Sequence, residues 1–202
     1  MLLAKLSTNN IKIHLNLAGI VIESRDHLFP FIKVSESTPP KIDSKFTIQT
    51  MPDYLIANNN IFPDDSFDFY FVSTGWQFTL VNDVEICNGV STDPDDLDIF
   101  EERQEALKDR YTHGSIVHQG IPCEYVTAAH EIAHLLGVKH DPRGVGYTNG
   151  YDQCYAIMQE VGQFCTDCLK WSDRSIQNFK KYARENRNRC FLLNSPRSLL
   201  PR

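Results

Sequence analysis

The chain has 202 residues, 42% hydrophobic and 23% charged, the balance of one ordinary globular domain long enough to bury a core. Its formal net charge of −6 argues against nucleic acid as a partner, because phosphate binding needs clustered Lys and Arg and these are scattered. The one local basic run, Lys180-Lys181 through Arg189, reads as a solvated helix face, and no stretch reaches the roughly 18 apolar residues that span a bilayer.

In chain order, Met1 to Leu6 is too short and too soon polar for a secretory leader. Ile11 to Glu23 clusters Ile, Leu and Val as a largely buried strand would. Residues 24–49, with Pro30, Pro39 and Pro40, read as irregular. Met51 to Asn58 fits a short helix with Thr50 as its cap and Pro52 in its first turn. Phe67 to Ser73, bounded by Pro63-Asp64-Asp65 and Gly75, reads as a central strand. Asp93 to Arg110 is highly charged and admits a surface helix from about Asp98. Gly114 to Gln119 reads as a short strand. Near the end, Ser172 is placed to cap a helix running to about Asn186. Trp171 and Ile176 form its hydrophobic staple, and Ile176, Phe179 and Ala183 lie on one face.

Six cysteines, at 87, 123, 154, 165, 168 and 190, are an even set. Cys165 and Cys168 make a C-x-x-C pair, but no second thiol pair stands at matching spacing and the flanks do not suggest a redox βαβ unit. Three disulfides and an oxidising, extracellular compartment are therefore expected. With no leader in the sequence, that expectation makes the chain part of a longer secreted precursor.

The chemistry concentrates between Val126 and Asp141. That segment is apolar nearly all round apart from His130, Glu131 and His134, so it reads as a buried helix. Residues four apart on a helix project from the same face, and two imidazoles so stacked can share one Zn²⁺ at about 2.0–2.1 Å each. Gly137 supplies a residue that can turn left-handed, stopping the helix and returning His140 as a third ligand. Three protein ligands leave the fourth position to water, the mark of a catalytic rather than a structural zinc. Glu131, one residue past the first ligand, stands where it can reach that water as general base without occupying the metal. A purely structural site would need a fourth protein ligand, for which only His113 and His118 are at hand, and both read as surface or strand histidines.

His-Glu-x-x-His-x-x-Gly-x-x-His, from His130 to His140, resembles the zinc signature of the metzincin metalloproteases at every fixed position. Cys154 to Gln159 is similar to the methionine turn of that family, with Met158 as its methionine. Asp141 after the third histidine, and Trp171 to Ser175 followed by a helix and Cys190 to Pro196, resemble the adamalysin (reprolysin) branch. The run Ala129 to Gly137 is similar to arthropod members such as those of tick saliva.

The resemblance implies a zinc-dependent endopeptidase that cleaves extracellular polypeptides as a monomer. It implies an α+β fold with a twisted, mostly parallel sheet and an antiparallel edge strand, divided into an upper part (about 1–139) and a lower part (140–202). On that likeness Glu131 is catalytic, His130, His134 and His140 hold zinc, and Gly137, Asp141 and Met158 support the site. Gly114–Gln119 becomes the edge strand, with Ser115, Ile116 and Val117 meeting substrate, and Gln159 and Glu160 line the pocket for the side chain after the cut bond. By resemblance, Cys190 pairs with Cys87 or Cys123, and Cys154 with Cys165 or Cys168.

The family's first strand has no counterpart before Ile11. Its calcium site would keep only Asp68, the Cys190 carbonyl and Asn194, the last two at the wrong spacing, so calcium is not expected. A competing expectation is a silent metzincin-like domain acting as a binding or toxin-type module. Intact Glu131 argues against it, since a buried carboxylate without a task is costly.

Overall fold

A computed structural model of the chain describes residues 13, 15, 17–22, 29–36, 39–63, 66, 67, 69–79, 86, 87, 89–91, 114–118, 124–142, 146–149, 152–159 and 169–185. In order, the described elements are β1 (Lys41–Asp43), α1 (Ser44–Ala57), β2 (Tyr70–Thr74), β3 (Gln77–Thr79), β4 (Ile86–Cys87), β5 (Gly89–Ser91), β6 (Gly114–His118), α2 (Glu124–Leu135), β7 (Gly146–Asn149), β8 (Asp152–Ala156), β9 (Leu169–Lys170) and α3 (Asp173–Glu185). The chain is α+β. Its described strands form three three-stranded sheets, ordered β1-β3-β4, β2-β6-β5 and β7-β8-β9. Each joins one parallel to one antiparallel pair, so parallel pairing does not dominate as expected.

Helix α1 begins well before the sequence reading placed it. Asp43 is its N-cap, with the carboxylate accepting from the Phe46 N–H at 2.9 Å, while Thr47 Oγ1 donates to the Asp43 carbonyl. Thr50 is inside the helix and bonds back to the Phe46 carbonyl at 2.8 Å, so it caps nothing. Pro52 is likewise interior and buried. Its missing N–H frees the Ile48 carbonyl, which the Tyr70 hydroxyl approaches at 3.5 Å. A proline taken as a helix start is here tolerated mid-helix because a neighbouring strand partly answers the lost bond.

The run expected as a buried strand, Ile11 to Glu23, is not one in its described residues. Leu17, Ile20 and Ile22 are 75%, 71% and 86% exposed, although Ile13 packs on the core. Among the described residues no strand pairs with this run, and unpaired backbone cannot be buried cheaply. The strand expected at Phe67 begins at Tyr70 and, among the described residues, lies at the edge of its sheet, with β6 in the centre.

That central position corrects a second expectation. Gly114–His118 is no edge strand: it pairs in parallel with β2 on one side and antiparallel with β5 on the other. Ser115, Ile116 and Val117 are 0%, 1% and 2% exposed, so they are core residues and cannot meet substrate. Among the described residues the antiparallel edge is β5, Gly89–Ser91. Gly114 faces Tyr70 across the ladder, and a Cβ there would fall inside the phenol ring.

Alternation along β5 and β6 sorts their residues onto two faces. Val90 and Ile116 join Ile42, Ile48 and Phe78 in a cluster shared by β1, α1 and β3. Gly89, Ser91, Ser115 and Val117 take the opposite face, toward α2. A separate cluster of Val126, Ala133, Val138, Ile157, Met158, Trp171, Ile176 and Phe179 joins α2 to the methionine turn and α3. Ser172 caps α3 through the Ser175 N–H at 2.9 Å, and the staple pair Trp171 and Ile176 is buried.

Among the described residues no helix is long and apolar enough to cross a membrane. The helix expected from Asp98, the six cysteine side chains, and His113, Asp68, Glu160 and Asn194 lie outside what is described.

Candidate metal centre

Helix α2 is buried on most sides, which places His130 and Glu131 at 4% and 5% exposure. Its end is a Schellman turn. The Val138 N–H bonds to the Ala133 carbonyl and the Gly137 N–H to the His134 carbonyl, with Gly137 at φ 72°. This reversal carries the chain back so that His140 meets the two helical histidines. Where a Cβ would stand on Gly137 lies the Tyr182 ring, its Cγ and Cε2 both at 3.1 Å, so the turn needs glycine for space as well as for conformation.

The three Nε2 atoms form a triangle with every side 3.1 Å. His130 Nδ1 donates to the Ile157 carbonyl at 2.7 Å and His134 Nδ1 to the Val138 carbonyl at 2.8 Å. Those bonds fix the tautomer: with Nδ1 protonated, each Nε2 presents a lone pair to the centre. Burial first, and the neighbouring histidine charges next, hold His130 down to about 3 and His134 down to about 4, so both rings stay neutral. The two converging lone pairs repel one another unless a cation, or a proton such as one on the His140 Nε2, lies between them.

The residues fit a metal. A regular tetrahedral site with bonds of about 2.0–2.1 Å has its nitrogens about 3.3–3.4 Å apart, and the observed 3.1 Å lies a small adjustment away. His130, His134 and His140 thus form a group that can hold a metal ion. His140 is exposed, so the cluster opens to solvent on that side. His118 is not part of it: its Nε2 bonds to the Gly75 carbonyl at 3.1 Å.

Met158 and Asp141 lock this arrangement from below. The turn Ala156–Gln159 closes through Gln159 N–H to the Ala156 carbonyl, and its Ile157 carbonyl is the one that orients His130. The Asp141 N–H bonds to the Met158 carbonyl at 2.7 Å, and Asp141 and Gln159 form an isolated β-bridge. The Asp141 carboxylate is buried and takes the Ser172 hydroxyl at 2.5 Å. The loop bearing His140, the methionine turn and the start of α3 are therefore one hydrogen-bonded unit.

Two residues absent from the sequence reading complete the site. Ser91 Oγ donates to Glu131 Oε2 at 2.6 Å, and Gly89 leaves the space that the Glu131 side chain fills. Burial pushes the Glu131 carboxyl up to about 7, against the opposing pull of the Ser91 bond. Nothing local in the sequence links Gly89 and Ser91 to a helix forty residues on. A glycine and a serine flanking Val90 were the only signal. No family model matches the chain, and no curated protein matches it.

Proposed function

We propose that the chain is a zinc-dependent metalloendopeptidase of the metzincin type, adamalysin-like, acting on extracellular polypeptides. The observation that carries this reading is the triangle of histidine Nε2 atoms beside a buried glutamate on the same turn of α2. Three nitrogen donors and no fourth protein donor in the described cluster suit a catalytic zinc, and the exposed His140 side leaves room for a reactant. When bound, zinc would supply positive charge against the scissile carbonyl and acidify the attacking water toward a pKa near 7.

The chain's own residues do the rest. His130 and His134 are held by backbone carbonyls in the tautomer that binds metal. Glu131 takes one proton from water as its oxygen attacks the carbonyl carbon. It then delivers that proton to the amide nitrogen as the C–N bond breaks, leaving a carboxylic acid and an amine; the acid's proton, the second from water, passes to the amine to give carboxylate and ammonium. The burial that raises the Glu131 carboxyl in the metal-free chain favours its holding the proton between the two halves of that transfer. An extended substrate adds to the outer edge of β5 through main-chain bonds, and Gln159 lines the pocket for the side chain after the cut. Asp141 supports the turn that carries His140.

Cleavage of a denatured protein by the purified chain tests this, with and without a chelator and beside Glu131→Ala. Chelator-sensitive cleavage that the variant lacks is expected. Bound zinc with no cleavage by the unaltered chain would contradict the reading and favour a binding module.

A further inference from the structure

We infer that Ser91 is a positioning residue for Glu131, an assignment that rests on the hydrolase reading above. Strand β5 has three residues and lies antiparallel to β6 with Gly89 opposite Val117, Val90 opposite Ile116 and Ser91 opposite Ser115. Gly89 and Ser91 therefore share the face toward α2, while Val90 is tied into the cluster on the other face. The strand and the helix approach so closely that an ideal Cβ on Gly89 would stand 2.7 Å from Glu131 Cγ and 2.8 Å from Cδ. Glycine at 89 makes the slot, and Ser91 fixes what enters it.

The Ser91 bond, at 2.6 Å, has the length of a charge-assisted hydroxyl–carboxylate contact. A hydroxyl has one proton, and Ser91 spends it on Oε2. The two oxygens therefore differ: Oε2 is anchored by the hydroxyl, while Oε1 lies against the Gly89 backbone. The anchor also removes rotamer freedom that a glutamate would otherwise lose on reaching the transition state. The strand that seats the base is the one whose outer edge takes the peptide. Base and scissile bond are thus registered against a single strand.

The test compares Ser91→Ala and Ser91→Thr with the unaltered chain, reading kcat, KM and zinc per chain. It adds the melting temperatures of metal-free Ser91→Ala, Glu131→Ala and the double variant. Ser91→Ala should lower kcat about 10- to 100-fold, with KM within about twofold and zinc unchanged. Ser91→Thr, which keeps the hydroxyl, should restore most of kcat. In the metal-free proteins, Ser91→Ala should lower the melting temperature in the presence of Glu131 and leave it nearly unchanged in Glu131→Ala.

Equal kcat loss in the Ala and Thr variants, a rise in KM with kcat kept, or additive melting shifts would each overturn the assignment while the hydrolase reading stands. A zinc-loaded unaltered chain that cleaves nothing removes both together.

Discussion

Replacing Gly137 by Ala strikes the one turn that returns His140 to the other histidines. Two costs add. An L-residue at φ 72° is left-handed, at about 1–2 kcal/mol. The new Cβ meets the Tyr182 ring, with Cγ and Cε2 at 3.1 Å and Cδ2 closer, and such overpacking costs about 1–3 kcal/mol. A total of about 3 kcal/mol corresponds to a fall of about 6–12 °C in melting temperature for a domain of this size. Calorimetric melts of the metal-free and zinc-loaded chains read that fall, and chelator competition reads zinc affinity, which should drop as well. Tyr182→Ala separates the parts: in that background Gly137→Ala should cost only the left-handed share. Melting within about 2 °C of the unaltered chain, with unchanged zinc affinity, would refute the claim that the turn requires glycine.

Other expectations follow from the same contacts. Ser172→Ala removes the cap of α3 and the hydroxyl on buried Asp141 together, and should destabilise by about 2–4 kcal/mol in urea unfolding. A loss under about 0.5 kcal/mol would show that neither bond matters. Gly89→Ala should displace the Glu131 carboxylate and cut kcat at least about tenfold with zinc retained, while unchanged kcat would mean that the slot is not needed. In the metal-free chain Glu131 has a folded-state pKa of about 7, above its ordinary 4.5. Its neutral form is favoured by folding, so stability is fully present below pH 4.5 and is lost as pH rises through 7. Metal-free Glu131→Gln should therefore gain on the unaltered chain between pH 4.5 and 8, by an amount on the order of 3 kcal/mol. A difference independent of pH would remove the burial argument.

The histidine cluster was legible because its information is local. Helical spacing sets His130 beside His134, and a glycine three residues on explains how His140 comes back, so one short window contains the geometry. The cap and staple of α3, Ser172 with Trp171 and Ile176, were legible for the same reason. What was lost was non-local. Gly114–His118 has the look of any short strand, and only its two neighbours make it central, which turned expected substrate contacts at Ser115, Ile116 and Val117 into core. The strand that takes the edge, Gly89–Ser91, is too short and too polar to announce itself. Pro52 misled the start of α1 because a proline usually opens a helix, whereas Asp43 holds the cap and Tyr70 approaches the freed carbonyl. The apolar run through Ile22 shows that composition alone does not bury a segment: Leu17, Ile20 and Ile22 are exposed, and among the described residues no strand pairs with it.

Zinc-edge X-ray absorption on the chain loaded with one equivalent of metal, beside His134→Ala, bears most directly on the proposed centre. Three nitrogen ligands at about 2.0–2.1 Å and one oxygen are expected, lost together in the variant. A fourth protein ligand in place of the oxygen, or the same spectrum in both proteins, would contradict a catalytic zinc on His130, His134 and His140.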